Sequence, residues 1–360
     1  MTTKPAKIKK PIKLSRLISK TIFYMFIVTL SVAIILPAFF LVSLSFLSTR
    51  EAYNYPLPLL PTLKTEYSMT FGDRGYLISV YDNFEEEYQT VLDTSETEKI
   101  TVYMRNQLGT PYTIPEIEEQ IAKLESGAED PVYFSARKNI FLNYISFFQI
   151  SRDAVPALLR SFQIAGLTIL VSLTIGGMAG YAFARYIFPG RDALKFSVLF
   201  VRMFPGVAIA LPMVIILANM GFYDKPIGLV LVYSVGSIAL TIWITASIFM
   251  GIPESLEEAA QVFGATKFQT FLRVTFPLAL PGLAAAAMYA FLGAWNETVS
   301  AIILTQFNPT FPVVVYQALL GAVGNVNLAA AGGLVMAIPS LIFTFIIRRY
   351  IQQMWGGVTI

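Results

Sequence analysis

Cysteine and histidine are both missing from this chain of 360 residues. Without cysteine there is no disulfide framework and no thiolate chemistry. Without histidine the commonest metal ligand and the commonest general base are gone. Metalloenzymes, Cys or Ser–His hydrolases and haem proteins are disfavoured together. Charge is scarce as well: 14 % of residues are Asp, Glu, Lys or Arg, against roughly 25 % in a soluble globular domain. No Gly-Lys dipeptide occurs, so the Gly-x-x-x-x-Gly-Lys-Ser/Thr cradle that grips nucleotide phosphates is absent and the chain should not bind ATP itself.

What is present is apolar sequence. Hydrophobic residues make up 55 % of the chain and the mean hydropathy is +0.62, which places it in the membrane class. A hydrocarbon core about 30 Å thick needs about 20 apolar residues per helix. Six stretches qualify: 21–47, 158–184, 194–220, 227–250, 281–304 and 328–347. They are continuously apolar and do not alternate, so helices are predicted, not barrel strands. The predicted fold class is an all-α integral membrane protein with six transmembrane helices.

Basic residues set the orientation. The tail 1–20 carries Lys4, Lys7, Lys9, Lys10, Lys13, Arg16 and Lys20 and no acid, so it is predicted to be cytoplasmic. Its apolar continuation is too long for a signal peptide and lacks a small-residue cleavage pattern. Threading six spans from there puts Arg185, Arg191, Lys195, Lys267, Arg273, Arg348 and Arg349 on the same side, with both termini inside. The short loop with Asp224 and Lys225 falls outside, as does the uncharged loop 305–327.

Between the first two spans lies a polar insert, 48–156, holding 17 of the 23 acids against 9 basic residues. Acids weigh little in topology, so an extracytoplasmic place is allowed. It reads as an α+β insert. Residues 76–80 and 100–104 have the β-branched and aromatic content of strands. Residues 115–125 read as a helix, opened by Pro115 and with Glu116, Glu118 and Glu119 facing its positive end. The insert is either a docking surface for an external partner or a solvated addition, and the run Glu85-Glu86-Glu87 suits a solvated face. Residues 143–160 suit an amphipathic interfacial helix. In the second span Gly176 and Gly180 form a Gly-x-x-x-Gly pattern, read as close helix packing.

The cytoplasmic loop 251–280 is the most informative stretch. Pro253 and Ser255 precede an acidic turn and Ala-rich sequence, which starts a helix. Leu256, Ala259, Ala260 and Phe263 keep the spacing of one apolar face. Gly264 ends or bends the helix, and a second helix, 267–274, is closed by Pro277. The small residues let another protein's backbone approach, so this helix–turn–helix is a knob for a groove.

Glu258-Ala259-Ala260, three residues, Gly264, nine residues, then Val274-x-Phe276-Pro277 resembles the EAA loop of ABC importer permeases. That pattern is Glu-Ala-Ala, three residues, Gly, nine residues, Ile-x-Leu-Pro, and Val274 and Phe276 keep its apolar character. Ala294-Trp295-Asn296-Glu297, Asn143-Tyr144, Phe188-Pro189-Gly190-Arg191 and Trp355-Gly356-Gly357-Val358-Thr359 are similar to carbohydrate permeases related to the maltose transporter's smaller membrane subunit. The insert 48–156 departs from that family, which has a short loop there.

The resemblance implies a non-catalytic permease subunit in the cytoplasmic membrane of a prokaryote. Its implied partners are a second permease subunit, two ATPase subunits and an extracytoplasmic solute-binding protein that delivers a sugar of maltose or maltodextrin type. It implies no cofactor on this chain, with ATP and Mg on the ATPase. Glu258, Ala259, Ala260, Gly264 and Pro277 would couple to that ATPase. Tyr289, Trp295, Asn296 and Glu297 are candidates for the solute pathway, since polar groups inside spans are costly and aromatics beside amide and carboxylate suit a sugar. A helix–helix contact with the partner subunit is the other reading of them. Gly321, Gly324, Asn325 and Asn327 would form a loop tip touching the binding protein, or a simple turn. Another solute, such as glycerol phosphate or a polyamine, stays open. A standalone channel or secondary transporter is disfavoured, because the spans hold few ionisable groups, chiefly Arg202 and Glu297. Arg202 reads as snorkelling or pairing locally.

Overall fold

A computed structural model describes residues 14–82, 85–127, 129–321 and 325–355. Most of the basic tail, Gly324 and the closing residues 356–360 lie outside the described residues. The chain divides into two units, 1–140 and 141–360.

The first unit opens with helix α1 (Leu14–Phe46). A short helix α2 (Thr49–Tyr53) starts at Ser48, where a capping box with Glu51 satisfies the free N–H groups. Strands β1 (Lys64–Gly72), β2 (Gly75–Asp82), β3 (Glu87–Thr94) and β4 (Val132–Arg137) form one antiparallel sheet in the order β3-β2-β1-β4. Helices α3 (Thr97–Leu108) and α4 (Ile114–Glu125) join Tyr67, Met69, Ile78 and Val132 in its core through Ile100, Met104 and Ile117. The strand predicted at 100–104 is therefore corrected to helix. Its buried residues Ile100, Thr101, Met104 and Leu108 recur at helical spacing, and that periodicity overrides the β-branched content. The helix predicted at 115–125 forms, with Thr113 as N-cap and Glu116 as its capping-box partner.

One buried ion pair ties the ends of this α+β fold together. The Glu51 carboxylate accepts from Lys138 Nζ at 2.8 Å, Thr62 Oγ1 at 2.6 Å, the Thr62 N–H at 3.1 Å and the Ser48 N–H at 2.9 Å. Burial pushes the Glu51 carboxyl up, but Lys138, Thr62 and Ser48 together outweigh it and hold it below the usual carboxylate range.

The second unit is helical. It comprises α5 (Leu142–Ile150), α6 (Ala154–Val171), a π-helical turn Ser172–Gly176, α7 (Gly177–Arg185), α8 (Arg191–Val201), α9 (Gly206–Asn219) and α10 (Pro226–Gly251). Then come α11 (Glu254–Val262), α12 (Lys267–Thr270), a second π-helical turn Phe271–Thr275, α13 (Phe276–Trp295), α14 (Val299–Leu304), α15 (Phe311–Leu320) and α16 (Val326–Trp355). Among the described residues, five helices are long and apolar enough to cross a bilayer: Ser19–Phe46, Ala154–Arg185, Pro226–Gly251, Lys267–Trp295 and Val326–Tyr350. The pair α8 and α9 makes a sixth span if counted as one, bent by 87°.

Four expectations need correction. The third span is broken, not continuous, at 202–205, where Pro205 removes an N–H donor and disfavours helix at Phe204. The fifth span ends at Trp295 and reaches back to Lys267, so it lies nearer the N-terminus than 281–304. Its start is a helix that absorbs Pro277 and Pro281 next to a π-helical turn. The loop 305–327 contains α15, begun by Pro312 in its first turn. The single amphipathic helix expected at 143–160 is two, α5 and the start of α6, parted at 151–153.

The two glycines of the second span do what close packing demands. A Cβ on Gly176 would sit 2.8 Å from Thr241 Cβ, and one on Gly180 would sit 1.9 Å from Thr245 Oγ1 and 2.9 Å from the Ala246 backbone nitrogen. Only hydrogen fits there between α10 and the helix formed by the π-helical turn and α7. Overpacking of this kind costs about 1–3 kcal/mol or more. Gly180→Leu is expected to lower the melting temperature of the detergent-solubilised chain by several degrees. Gly166→Leu, whose Cβ meets nothing within 4 Å, should leave it near wild type.

Candidate functional site

Two features of the second unit carry chemistry: the α11–α12 turn and a cavity among α9, α10 and α13.

Gly264 adopts φ +88°, the left-handed region that favours glycine. Its N–H donates to Gln261 O and the Ala265 N–H to Ala260 O, closing α11 with carbonyls satisfied. Thr266 then caps α12: its Oγ1 accepts from the Gln269 N–H at 3.2 Å while its own N–H donates to Gln269 Oε1 at 3.0 Å. Two helices parted by Gly264 form as expected, but Pro277 does not close the second, which runs on through the π-helical turn Phe271–Thr275 into α13.

The inward-facing residue of α11 is one that sequence reasoning passed over. Glu257 is buried, while Leu256, Val262, Phe263 and Phe268 are exposed, Phe263 by 91 %. Arg185, at the end of α7, holds Glu257 through Nε at 2.9 Å and Nη2 at 2.8 Å. The same guanidinium donates to the carbonyls of Phe249 at 2.7 Å and Ile252 at 3.0 Å, at the end of α10. The Tyr181 hydroxyl donates to Glu257 Oε2 at 3.0 Å. Burial alone would raise the Glu257 carboxyl, but the Arg185 and Tyr181 bonds outweigh it and hold it low. One planar fork thus fastens α11 to the ends of α7 and α10. In the sequence Arg185 was legible only as a topology signal. Glu258, Ala259 and Gly264 lie on the exposed side and Ala260 is half-buried. Pro277 stands apart, in the first turn of α13.

The cavity measures about 450 Å³, and its lining includes Arg202, Met213, Tyr233, Tyr289, Glu297 and Ser300. Tyr289 and Glu297 thus both line it. Glu297 Oε1 also accepts the Ser300 N–H at 2.8 Å, starting α14. The other two sequence candidates are elsewhere. Trp295 is fully buried, stacked on Phe291, with its indole N–H donating to Met336 O at 3.0 Å. It is core and offers no face to a solute. Asn296 terminates α13, its N–H bonded to Leu292 O. The sequence reading missed Tyr233: its hydroxyl is buried and without a hydrogen-bond partner among the described residues. A tyrosine within an otherwise apolar span was the available signal.

The 305–327 region is more built than a free tip. Asp224, itself at φ 58°, accepts backbone N–H bonds from Gln306, Phe307 and Asn308 and so fixes the turn after α14. Gly321 closes α15 through Gln317 O, and the Asn325 carbonyl accepts from Ala329 at the start of α16. Asn327 is buried, with its Nδ2 donating to Asn143 Oδ1 at 2.9 Å. It is an internal contact, which corrects its placement on an exposed loop tip.

The family described as binding-protein-dependent transport system inner membrane component matches residues 138–355. The chain belongs to this family. As a permease component it has named relatives. It is 35 % identical over 205 residues to the trehalose transport system permease protein SugB of Mycobacterium tuberculosis, covering 54 % of this chain and 73 % of the relative. It is 29 % identical over 235 residues to the trehalose/maltose transport system permease protein MalG of Thermococcus litoralis, covering 63 % and 84 %. The maltodextrin transport system permease protein MalD of Streptococcus pneumoniae is 26 % identical over 230 residues, covering 62 % and 82 %. Among solved structures, a chain of a bacterial ABC transporter involved in import of the acidic polysaccharide alginate aligns with TM-score 0.57 at 16 % identity, over 95 % of this permease and 100 % of that chain. The shared property there is the fold of an ABC importer membrane subunit. The permease is therefore a multi-pass membrane transport component.

Proposed function

We propose that this permease passes a sugar across the cytoplasmic membrane, and that separate ATPase subunits drive it by gripping the α11–α12 turn. The observation that carries the reading is the two-sided character of α11. Its inner side is fastened to two spans by Arg185 and Glu257, and its outer side leaves Leu256, Ala259, Val262 and Phe263 exposed. A segment built this way transmits force: a partner seated on the apolar side moves α7 and α10 with it. Glu258, Ala259, Ala260 and Gly264 form the gripped surface.

In this reading the chain pairs with a second permease subunit, and an extracytoplasmic binding protein delivers the solute. ATP and its magnesium ion bind on the two ATPase subunits. The basic residues at the span ends orient both termini to the cytoplasm and residues 48–140 to the outside. ATP-driven closure of the ATPases draws the coupling turns together and opens the spans outward, and their separation turns the pathway inward. The names of the trehalose and maltose relatives support an oligosaccharide or disaccharide as cargo. Tyr289, Tyr233 and Glu297 are the groups this chain would offer it: two aromatic hydroxyls and one carboxylate in an apolar cavity suit hydroxyl-rich rings.

The docking claim is tested by co-purification with the cognate ATPase. Gly264→Asp forces a side chain into the left-handed region, at about 1–2 kcal/mol, and places a charge in the gripped surface. The variant is expected to insert normally and lose the ATPase during purification. Recovery of a complex with wild-type stoichiometry and coupled hydrolysis would falsify the assignment.

A further inference from the structure

The segment between α2 and β1, residues 54–63, reads Asn-Tyr-Pro-Leu-Pro-Leu-Leu-Pro-Thr-Leu and carries no charged residue. Its apolar side chains are turned outward: Leu59 is 54 % exposed, Leu60 70 %, Leu63 67 % and Tyr55 98 %. Such a patch on a domain in water is unfavourable. Its position relative to α1 supplies an explanation.

The lipid-facing part of α1 is legible from exposure. Large apolar residues are exposed from Ile22 to Val42, a run that spans about 31 Å at 1.5 Å per residue. That fills a hydrocarbon core of about 30 Å. Immediately beyond it, Ser43, Ser45 and Leu47 are buried. The loop accounts for part of this burial, because the Ser43 hydroxyl donates to the Leu59 carbonyl at 2.5 Å. The chain therefore leaves α1 at Phe46, makes α2, and then doubles back along the last turn of α1. Leu59 ends at the level of Ser43, which is the edge of the hydrocarbon.

Irregular backbone near that edge is costly, because its N–H groups lose water. This loop is equipped against the cost. Pro56, Pro58 and Pro61 have no N–H to satisfy, the Thr62 N–H is taken by Glu51, and the Leu59 carbonyl is taken by Ser43. Tyrosine at the loop's start suits the headgroup layer, where an apolar ring with a polar tip is favoured.

We propose that residues 55–63 are a membrane-seated loop, with Leu59, Leu60 and Leu63 inserted into the lipid interface at the C-terminal end of α1. Under the orientation proposed above this is the outer leaflet. The occupant of the apolar patch is lipid, and the loop holds the first unit's sheet domain against the bilayer surface by a second attachment besides α1.

The absence of native cysteine makes the test direct. Leu60→Cys and, separately, Leu63→Cys are labelled with a nitroxide in the full chain, reconstituted into phosphatidylcholine–phosphatidylglycerol nanodiscs. Collision with oxygen and with a water-soluble nickel chelate is measured by power saturation. Glu118→Cys on α4 is the water-exposed control and Val28→Cys on α1 the hydrocarbon control. Seating in lipid predicts an oxygen-to-nickel ratio several-fold above Glu118→Cys, approaching Val28→Cys. A ratio equal to Glu118→Cys means the loop stands in water and overturns the proposal. Low collision with both reagents means protein covers the loop, and overturns it equally. The measurement reports depth, not side, so an error in the orientation would leave this result intact.

Discussion

Arg185→Ala should uncouple ATP hydrolysis from transport while leaving a chain that still inserts in the membrane. The guanidinium makes four bonds, two to Glu257 and one each to the carbonyls of Phe249 and Ile252. Truncating it leaves Glu257 as a buried charge without its partner, a change that costs about 3–5 kcal/mol. The cost is relieved most cheaply if α11 detaches and exposes Glu257 to water. An ATPase that grips a detached helix moves only that helix. Transport in proteoliposomes is therefore expected to fall at least tenfold, roughly the effect of 1.4 kcal/mol in coupling free energy, while hydrolysis continues. Arg185→Lys should recover only part, since an ammonium cannot fork onto a carboxylate and reach two carbonyls. Arg185→Ala combined with Glu257→Ala should be less damaging to stability than the sum of the two singles, because neither charge is then stranded. Coupled transport by Arg185→Ala at the wild-type rate would mean that the clasp is not the transmission.

The second large effect is expected in the first unit. Glu51→Ala removes the acceptor of Lys138, whose side chain is 8 % exposed, and of Thr62 and Ser48. Stranding that ammonium costs about 3–5 kcal/mol, a large share of the 5–15 kcal/mol available to a typical domain. Limited proteolysis should cut within 64–137 in the variant under conditions that spare wild type, with the helices of 141–355 still protected. Glu51→Gln, which keeps acceptors for Thr62 but no charge, should fall between. The folded-state carboxyl is held below its ordinary value, so its contribution is full above the unfolded pKa of about 4.3. That contribution is lost as pH falls through the lower folded value. The protease sensitivity of wild type should accordingly approach that of Glu51→Gln only in strongly acidic buffer.

Much of this architecture was readable in the residues, for identifiable reasons. Spans are long apolar runs, and nothing local competes with that signal. Gly264 was readable because a glycine between two helical patterns marks the place where the first helix stops, and Gly176 and Gly180 because small residues at four-residue spacing form a groove. What escaped depended on contacts distant in sequence or on two opposing local signals. Ile100, Thr101 and Val102 are β-branched, yet the core positions Ile100, Met104 and Leu108 are four apart. The break at 202–205 sits inside a stretch whose hydropathy is high enough for one helix. Trp295 beside Asn296 and Glu297 looked like a sugar platform, but the helix ends between them, leaving the indole in the core and Glu297 in the cavity. Glu257 and Arg185 are 72 residues apart, and only the fold says that they meet.

The π-helical turns Ser172–Gly176 and Phe271–Thr275 have a mechanical meaning for that meeting. Such a turn is one residue inserted into an α-helix, and one residue is about 100° of rotation at 3.6 residues per turn. Everything downstream of the first turn, Arg185 included, is phased by that extra step, and the second sets the phase of α13 against α12. Like gear wheels keyed to their shafts, α7 and α13 each stand offset by a single tooth.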